Sequence, residues 1–144
     1  MNRLEPAAPP TRKTARLRVW ALAVSTAVLA NLALYGMGRL AGGAFTFTRD
    51  GRPTEVDAWT VAGFSAVPLG AGLFAVALLA RRLPWAARLA AVVAPVTAVA
   101  TIGIMTIPAD FDTVSTLSLA ACHLTLVPVS LAAIRALARG RPAR

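Results

Sequence analysis

Residues Val19–Ala41 read VWALAVSTAVLANLALYGMGRLA, an apolar run interrupted only by small or hydroxyl residues, by Asn31, and by Arg39 close to its end. At about 1.5 Å of rise per residue, a helix of this length crosses the ~30 Å hydrocarbon core of a bilayer. The run is longer than the roughly 7–15 apolar residues of a secretory signal core. It therefore reads as a retained span, although Gly42, Gly43 and Ala44 are small enough for cleavage. Three similar stretches follow at about 57–80, 85–107 and 114–138.

Composition points the same way. The chain is 57% hydrophobic and 15% charged with a positive mean hydropathy of +0.65, whereas soluble domains hold roughly 45–50% apolar and about 25% charged residues. That excess of apolar matter needs a non-aqueous solvent. The expected fold is all-α: an integral membrane four-helix up-down-up-down bundle with spans at about 19–41, 57–80, 85–107 and 114–138. Residues 1–18, with Pro6, Pro9 and Pro10, read as a disordered basic cytoplasmic tail, 19–138 as the transmembrane domain, and 139–144 as a second basic cytoplasmic tail.

The longest connection, 42–56, alternates as Phe45-Thr46-Phe47-Thr48 and then offers Asp50-Gly51, which predicts a hairpin with a tight turn. Phe45 and Phe47 are expected to rest at the lipid interface. Pro84 suits the first turn of the third helix, where a missing N–H costs nothing, and Thr113 or Ser115 is placed to cap the fourth.

Charge sets the topology. Arg3, Arg12, Lys13, Arg16 and Arg18, then Arg81, Arg82 and Arg88, then Arg135, Arg139, Arg141 and Arg144 fall on one side of an alternating path, a total of twelve. Three, Arg39, Arg49 and Arg52, fall on the other with five of the six acids: Asp50, Glu55, Asp57, Asp110 and Asp112. By the positive-inside rule both termini are cytoplasmic, and the formal charge of +9 is topological. Nucleic-acid binding is not expected, because the arginine clusters lack interleaved stacking aromatics. The expected partners are the lipid bilayer, with anionic lipids at the cytoplasmic face, and a second copy or another membrane protein. Trp20, Trp59 and Trp85 sit where interfacial anchors belong.

In lipid, helices associate through small residues and interhelical hydrogen bonds. The spacing offers Ala23, Ala27 and Asn31 on the first span, Ala62, Ala66 and Gly70 on the second, Ala90, Ala94 and Ala98 on the third, and Ser118 with Cys122 on the fourth. Pro68, Pro95 and Pro128 lie inside spans and each favours a kink.

Few side chains are left to carry chemistry. Halving each span places Asn31, Thr97 and His123 near the midplane, a candidate polar site. Its default reading is a neutral His123 donating one hydrogen bond to Asn31, Thr97 or a carbonyl freed by proline, with Asn31 as glue between helices. The sharper reading is a ligand contact or proton relay. Lone Cys122 excludes paired-thiol chemistry, one histidine excludes bis-histidine haem in a single chain, and no ligand cluster marks a metal site. No cofactor is expected. Serine chemistry lacks a nucleophile elbow and a carboxylate to orient His123. No catalytic constellation is found.

The opening Trp20 helix ending in Gly38-Arg39-Leu40-Ala41, Val56 before the second span, Leu79-Ala80-Arg81-Arg82, and Leu117-Ser118-Leu119-Ala120-Ala121-Cys122-His123-Leu124 occur in a familiar order. From about Arg18 to Arg139 the chain resembles a family of small four-span membrane proteins of high-GC bacteria, a domain of unknown function. Cys122 stands where that family's recurrent Met-His-Leu pattern usually has methionine. The resemblance implies four spans in a bacterial inner membrane and brings no reaction. The functional expectation is a non-enzymatic membrane component or interaction partner, with a transporter or small-molecule binder around His123 and Asn31 as the alternative.

Overall fold

The computed structural model describes residues 11–80, 82–83 and 85–139. Four long helices dominate: α1 (Arg12–Leu40), α2 (Ala58–Leu79), α3 (Ala86–Thr101), which runs on into a π-helical segment (Ile102–Thr106), and α4 (Thr113–Arg139). Between α1 and α2 lies an antiparallel hairpin, β1 (Thr46–Arg49) and β2 (Arg52–Glu55). All four helices are long and apolar enough to cross a membrane. Their outward residues, among them Leu22, Leu29, Phe64, Phe74, Val92, Val96 and Leu117, are large, apolar and exposed. So much exposed apolar surface is foreign to a soluble monomer and suits lipid.

Thr11 caps α1 by accepting the Thr14 amide, so the helix begins at Arg12 and not at Val19. Residues 12–18, expected in a disordered tail, are helical. Arg, Lys, Ala and Leu are good helix formers, and extending an existing helix is far cheaper than nucleating one. The rest of that tail, residues 1–10, and the second, from 140 onward, lie outside the described residues, as do Arg81 and Pro84.

Helix directions follow from cross-contacts. Arg16 Nη1 donates to the Ala77 carbonyl, Trp20 Nε1 to that of Gly70 and Asn31 Nδ2 to Ser65 Oγ, so α2 runs antiparallel to α1. Gly38 lies against Ser118, and Asn31 meets Thr125, so α4 is also antiparallel to α1. With α3 joined to α4 by a short turn, the path is up-down-up-down. Every pair of helices touches except α1 and α3, which occupy opposite corners.

The buried apolar core is concentrated at one end. Ala23 and Ala27 of α1, Leu69, Leu73 and Val76 of α2, Ala87 of α3, and Ala133, Ile134 and Leu137 of α4 form one cluster. The expected face of α1 is the observed one: Ala23, Ala27 and Asn31 are all buried. On α2 the buried face is Val61, Ser65, Leu69, Leu73 and Val76, so Ala62 and Ala66 are only half-buried. Gly70 is buried because Trp20 occupies the space of its absent side chain: a Cβ there would lie 3.1 Å from the indole. Ala98 is buried on α3, with Ala90 and Ala94 packed on the core margin.

The helices continue through Pro68, Pro95 and Pro128. Helical hydrogen bonding widens instead after α3, where the Ile107 amide reaches back to the Ile102 carbonyl at 2.9 Å.

Candidate functional site

The hairpin forms as its sequence predicts. Asp50 and Gly51 both take positive φ, 52° and 71°, which is the tight turn that suits the right-handed twist of paired strands. Phe45, just before β1, departs from expectation. Its side chain is fully buried inside the protein and does not rest at the lipid interface. Its ring packs 4.6 Å from that of Tyr35, and a Cβ on Gly38 or Gly43 would approach it within 2.7 or 2.9 Å. Glycine at those two positions is what opens the socket. Phe45 holds φ at 56°, a left-handed conformation costing a non-glycine residue about 1–2 kcal/mol. It is retained because its amide donates to Ser115 Oγ and its carbonyl accepts from the Val56 amide, each at 2.8 Å. Phe47 is half-buried against Phe111, ring centroids 5.0 Å apart.

Two aspartates in the turn before α4 pin the hairpin down. Asp110 accepts the Thr48 amide and hydroxyl, both at 2.7 Å. Asp112 accepts the Ala44 amide at 3.0 Å together with the Ser115 amide and hydroxyl. Asp112 thereby caps α4, the task expected of Thr113 or Ser115. These bonds favour the ionised forms. The Ser115 hydroxyl, with the Ser115 and Ala44 amides, brings the Asp112 carboxyl down to about 2, against some desolvation. Thr48 lowers Asp110, amide first and hydroxyl second. At the start of α2 the Thr60 hydroxyl and amide lower Asp57. Arg39 closes the far side, donating to the Ala44 carbonyl at 2.9 Å and to Glu55 at 3.1 Å.

Beneath this roof is a cavity of about 380 Å³. Hairpin residues Phe47, Arg49 and Glu55 line its upper part, and Ser65 of α2, Thr106 of the π segment, and Cys122 and His123 of α4 line its walls, with Asn31 of α1 behind. Ser65 lies eight residues into α2 from Asp57, about 12 Å below the cap. The cavity therefore reaches from the hairpin towards the middle of the bundle.

Two of the three candidate midplane residues meet here. Asn31 ties α1 to two other helices, α2 and α4: its Nδ2 donates to Ser65 Oγ at 2.8 Å, its Oδ1 accepts from the Thr125 hydroxyl, and its carbonyl is 3.6 Å from Cys122 Sγ. Ser65 passes its own proton to the Val61 carbonyl. His123 Nδ1 lies 2.8 Å from the carbonyl of Leu119, one turn earlier on the same helix, not on Asn31 or Thr97. A carbonyl only accepts, so Nδ1 carries the proton, and in the neutral ring Nε2 has a free lone pair. Thr97 is apart from this site: its side chain is exposed on α3 and its carbonyl accepts from the Thr101 hydroxyl.

Sequence reasoning misses Thr106, the hairpin roof and the π segment as parts of one wall. No signal marks Thr106, one hydroxyl residue among many. Asp110 and Asp112 opposite a hairpin of Thr and backbone donors could have pointed to the pinning.

A family profile matches residues 11–140, from the cap of α1 to the end of α4. The chain belongs to DUF6069. DUF6069 is described as a family of unknown function, so membership adds no reaction to the geometry. The match covers the packed end, the cavity walls and the roof alike. No curated protein and no solved structure matches this DUF6069 chain.

Proposed function

We propose that the protein is a non-enzymatic multi-pass membrane component that binds a small molecule in the cavity beneath the hairpin, with His123 in the wall as its polar contact. The observation that carries this reading is the cavity itself, whose volume of about 380 Å³ is within the ~300–1,000 Å³ of small-molecule sites. Its apolar lining is broken by a few polar groups, as such sites require. A π segment in its wall is a second support, since such departures recur at functional sites. The non-enzymatic part rests on the sequence reading, in which no catalytic constellation surrounds His123.

The twelve-to-three division of basic residues supports cytoplasmic termini, with the hairpin and the upper end of the cavity outside. The arginine-rich side then faces anionic lipid. A bacterial inner membrane rests on the family resemblance. The competing reading is a component that acts by packing with itself or with another membrane protein.

Native mass spectrometry of the gently extracted chain, with stepwise removal of detergent, separates the two. The binding reading expects a retained small-molecule mass that disappears in His123→Ala while protein level and oligomeric state persist. A bare oligomer or a co-purified protein, with no small mass, would move the assignment to packing.

A further inference from the structure

Below the hairpin, two polar groups of the cavity-lining residues make no hydrogen bond among the described residues: His123 Nε2 and the Thr106 hydroxyl. Thr106 is 3% exposed, yet no fully enclosed side-chain N or O atom among the described residues lacks a partner, so the hydroxyl opens onto the cavity. A buried polar group without a partner is costly, and a ligand that supplies one gains what the protein forgoes. Nε2 can accept and the Thr106 hydroxyl can donate or accept. A hydroxyl is the smallest group able to serve both.

The rest of the lining restricts what carries that hydroxyl. Val61, Phe64, Met105, Phe111, Leu119 and Leu126 supply apolar walls. The charged liners, Arg49 and Glu55, are at the hairpin end, where Glu55 is paired with Arg39. A charged group placed deep would find no opposite charge and would bear a large desolvation cost. The mouth is similarly informative. The π segment packs against α3 and α4 and leaves a gap to α2. Phe64 on α2 and Met105 on the π segment line the cavity while also being exposed on the outer surface of the bundle, 65% and 55%. The lower lips of the opening are therefore apolar and face the bilayer.

We infer that the ligand is a neutral, hydroxyl-bearing lipophile that passes sideways from the bilayer between α2 and the π segment, its hydroxyl meeting His123 and Thr106. This rests on the binding reading above and adds ligand class and route. The test uses the full chain in lipid nanodiscs and a 4-alkylphenol with a photoactivatable diazirine in its tail, with peptide mapping of the adducts. Expected adducts fall on 61–65 and 102–106, and the O-methyl ether of the same probe labels them about tenfold less, as one lost hydrogen bond predicts. His123→Leu and, separately, Thr106→Val bring phenol labelling down towards the ether's level; the second variant is nearly isosteric and guards against misfolding of the first. Water-confined 4-hydroxybenzenesulfonate leaves labelling unchanged, while unlabelled 4-alkylphenol competes. Equal labelling by phenol and ether overturns the hydroxyl assignment but keeps the cavity as a site. Competition by the sulfonate overturns the sideways route. If neither probe labels these segments above the lipid-facing residues of α3, the binding reading itself fails.

Discussion

The two ends of the bundle are built on opposite plans. At the end holding the start of α1 and the close of α4, Ala23, Leu69, Leu73, Ile134 and Leu137 meet in a dry apolar cluster, and the long polar reaches are Arg16 to the Ala77 carbonyl and Trp20 to that of Gly70. At the hairpin end the helices separate around a cavity, and closure is delegated to Asp110, Asp112 and Ser115 acting on the backbone of β1 and the residues before it. One end is held by shape, the other by directed hydrogen bonds. Close packing spreads its contributions over all four helices; a pinned roof depends on a few local groups, which makes it separately breakable.

The strongest way to break that division is Phe45→Ala. Emptying a fully buried aromatic socket costs about 3–5 kcal/mol, and the loss should appear as faster amide exchange across 44–56 with 69–76 unchanged. Equal acceleration in both segments would show one cooperative unit. Leu73→Ala strikes the other end: 2% exposed in the core, it should lower global stability by about 2–5 kcal/mol, read as a reduced thermal midpoint in detergent. Ser65→Ala tests the polar layer between the two ends. It removes the hydroxyl that Asn31 donates to, and a cost of about 0.6–2 kcal/mol is expected for an interhelical hydrogen bond in lipid.

Acidification is the gentlest probe. Asp112 is depressed to about 2 from an ordinary 3.8 and Asp110 is lowered too, so their contribution is complete above the unfolded-state value and is lost as pH falls through the folded one. Pepsin cleavage near Phe47 should rise between pH 4 and pH 2 in the native chain. Asp112→Asn should be cut readily already at pH 4 with a weaker pH response. A flat native profile would show that the aspartates do not hold the roof.

How much of this could be read in advance follows from what carries the information. Hydropathy and length show the four spans, and Asp50-Gly51 shows the hairpin, because both signals are local. The buried face of α1 is legible at Ala23, Ala27 and Asn31, since an asparagine in an apolar span must find a partner. The face of α2 is not: Ala62-Ala66 and Val61-Ser65 have the same spacing, and a helix apolar all round carries no amphipathic signal to choose between them. Phe45 looks like an interfacial aromatic because nothing local announces that Gly38 and Gly43 make room for it. Thr97 shares its depth with His123 but points outward, and depth alone does not fix azimuth. The cavity is the hardest to foresee, as it is defined by where the hairpin, α1, α2, the π segment and α4 fail to meet.

The roof also imposes an order on biosynthesis. Ala44 and Thr48 are held by residues 68 and 62 positions downstream, so while α1 and α2 can pair as soon as both are made, the hairpin between them stays unlatched until the turn before α4 has been synthesised. A nascent chain arrested after α3 would therefore carry a loose hairpin over a chamber still lacking its α4 wall, and the closing of the molecule marks the arrival of its last helix.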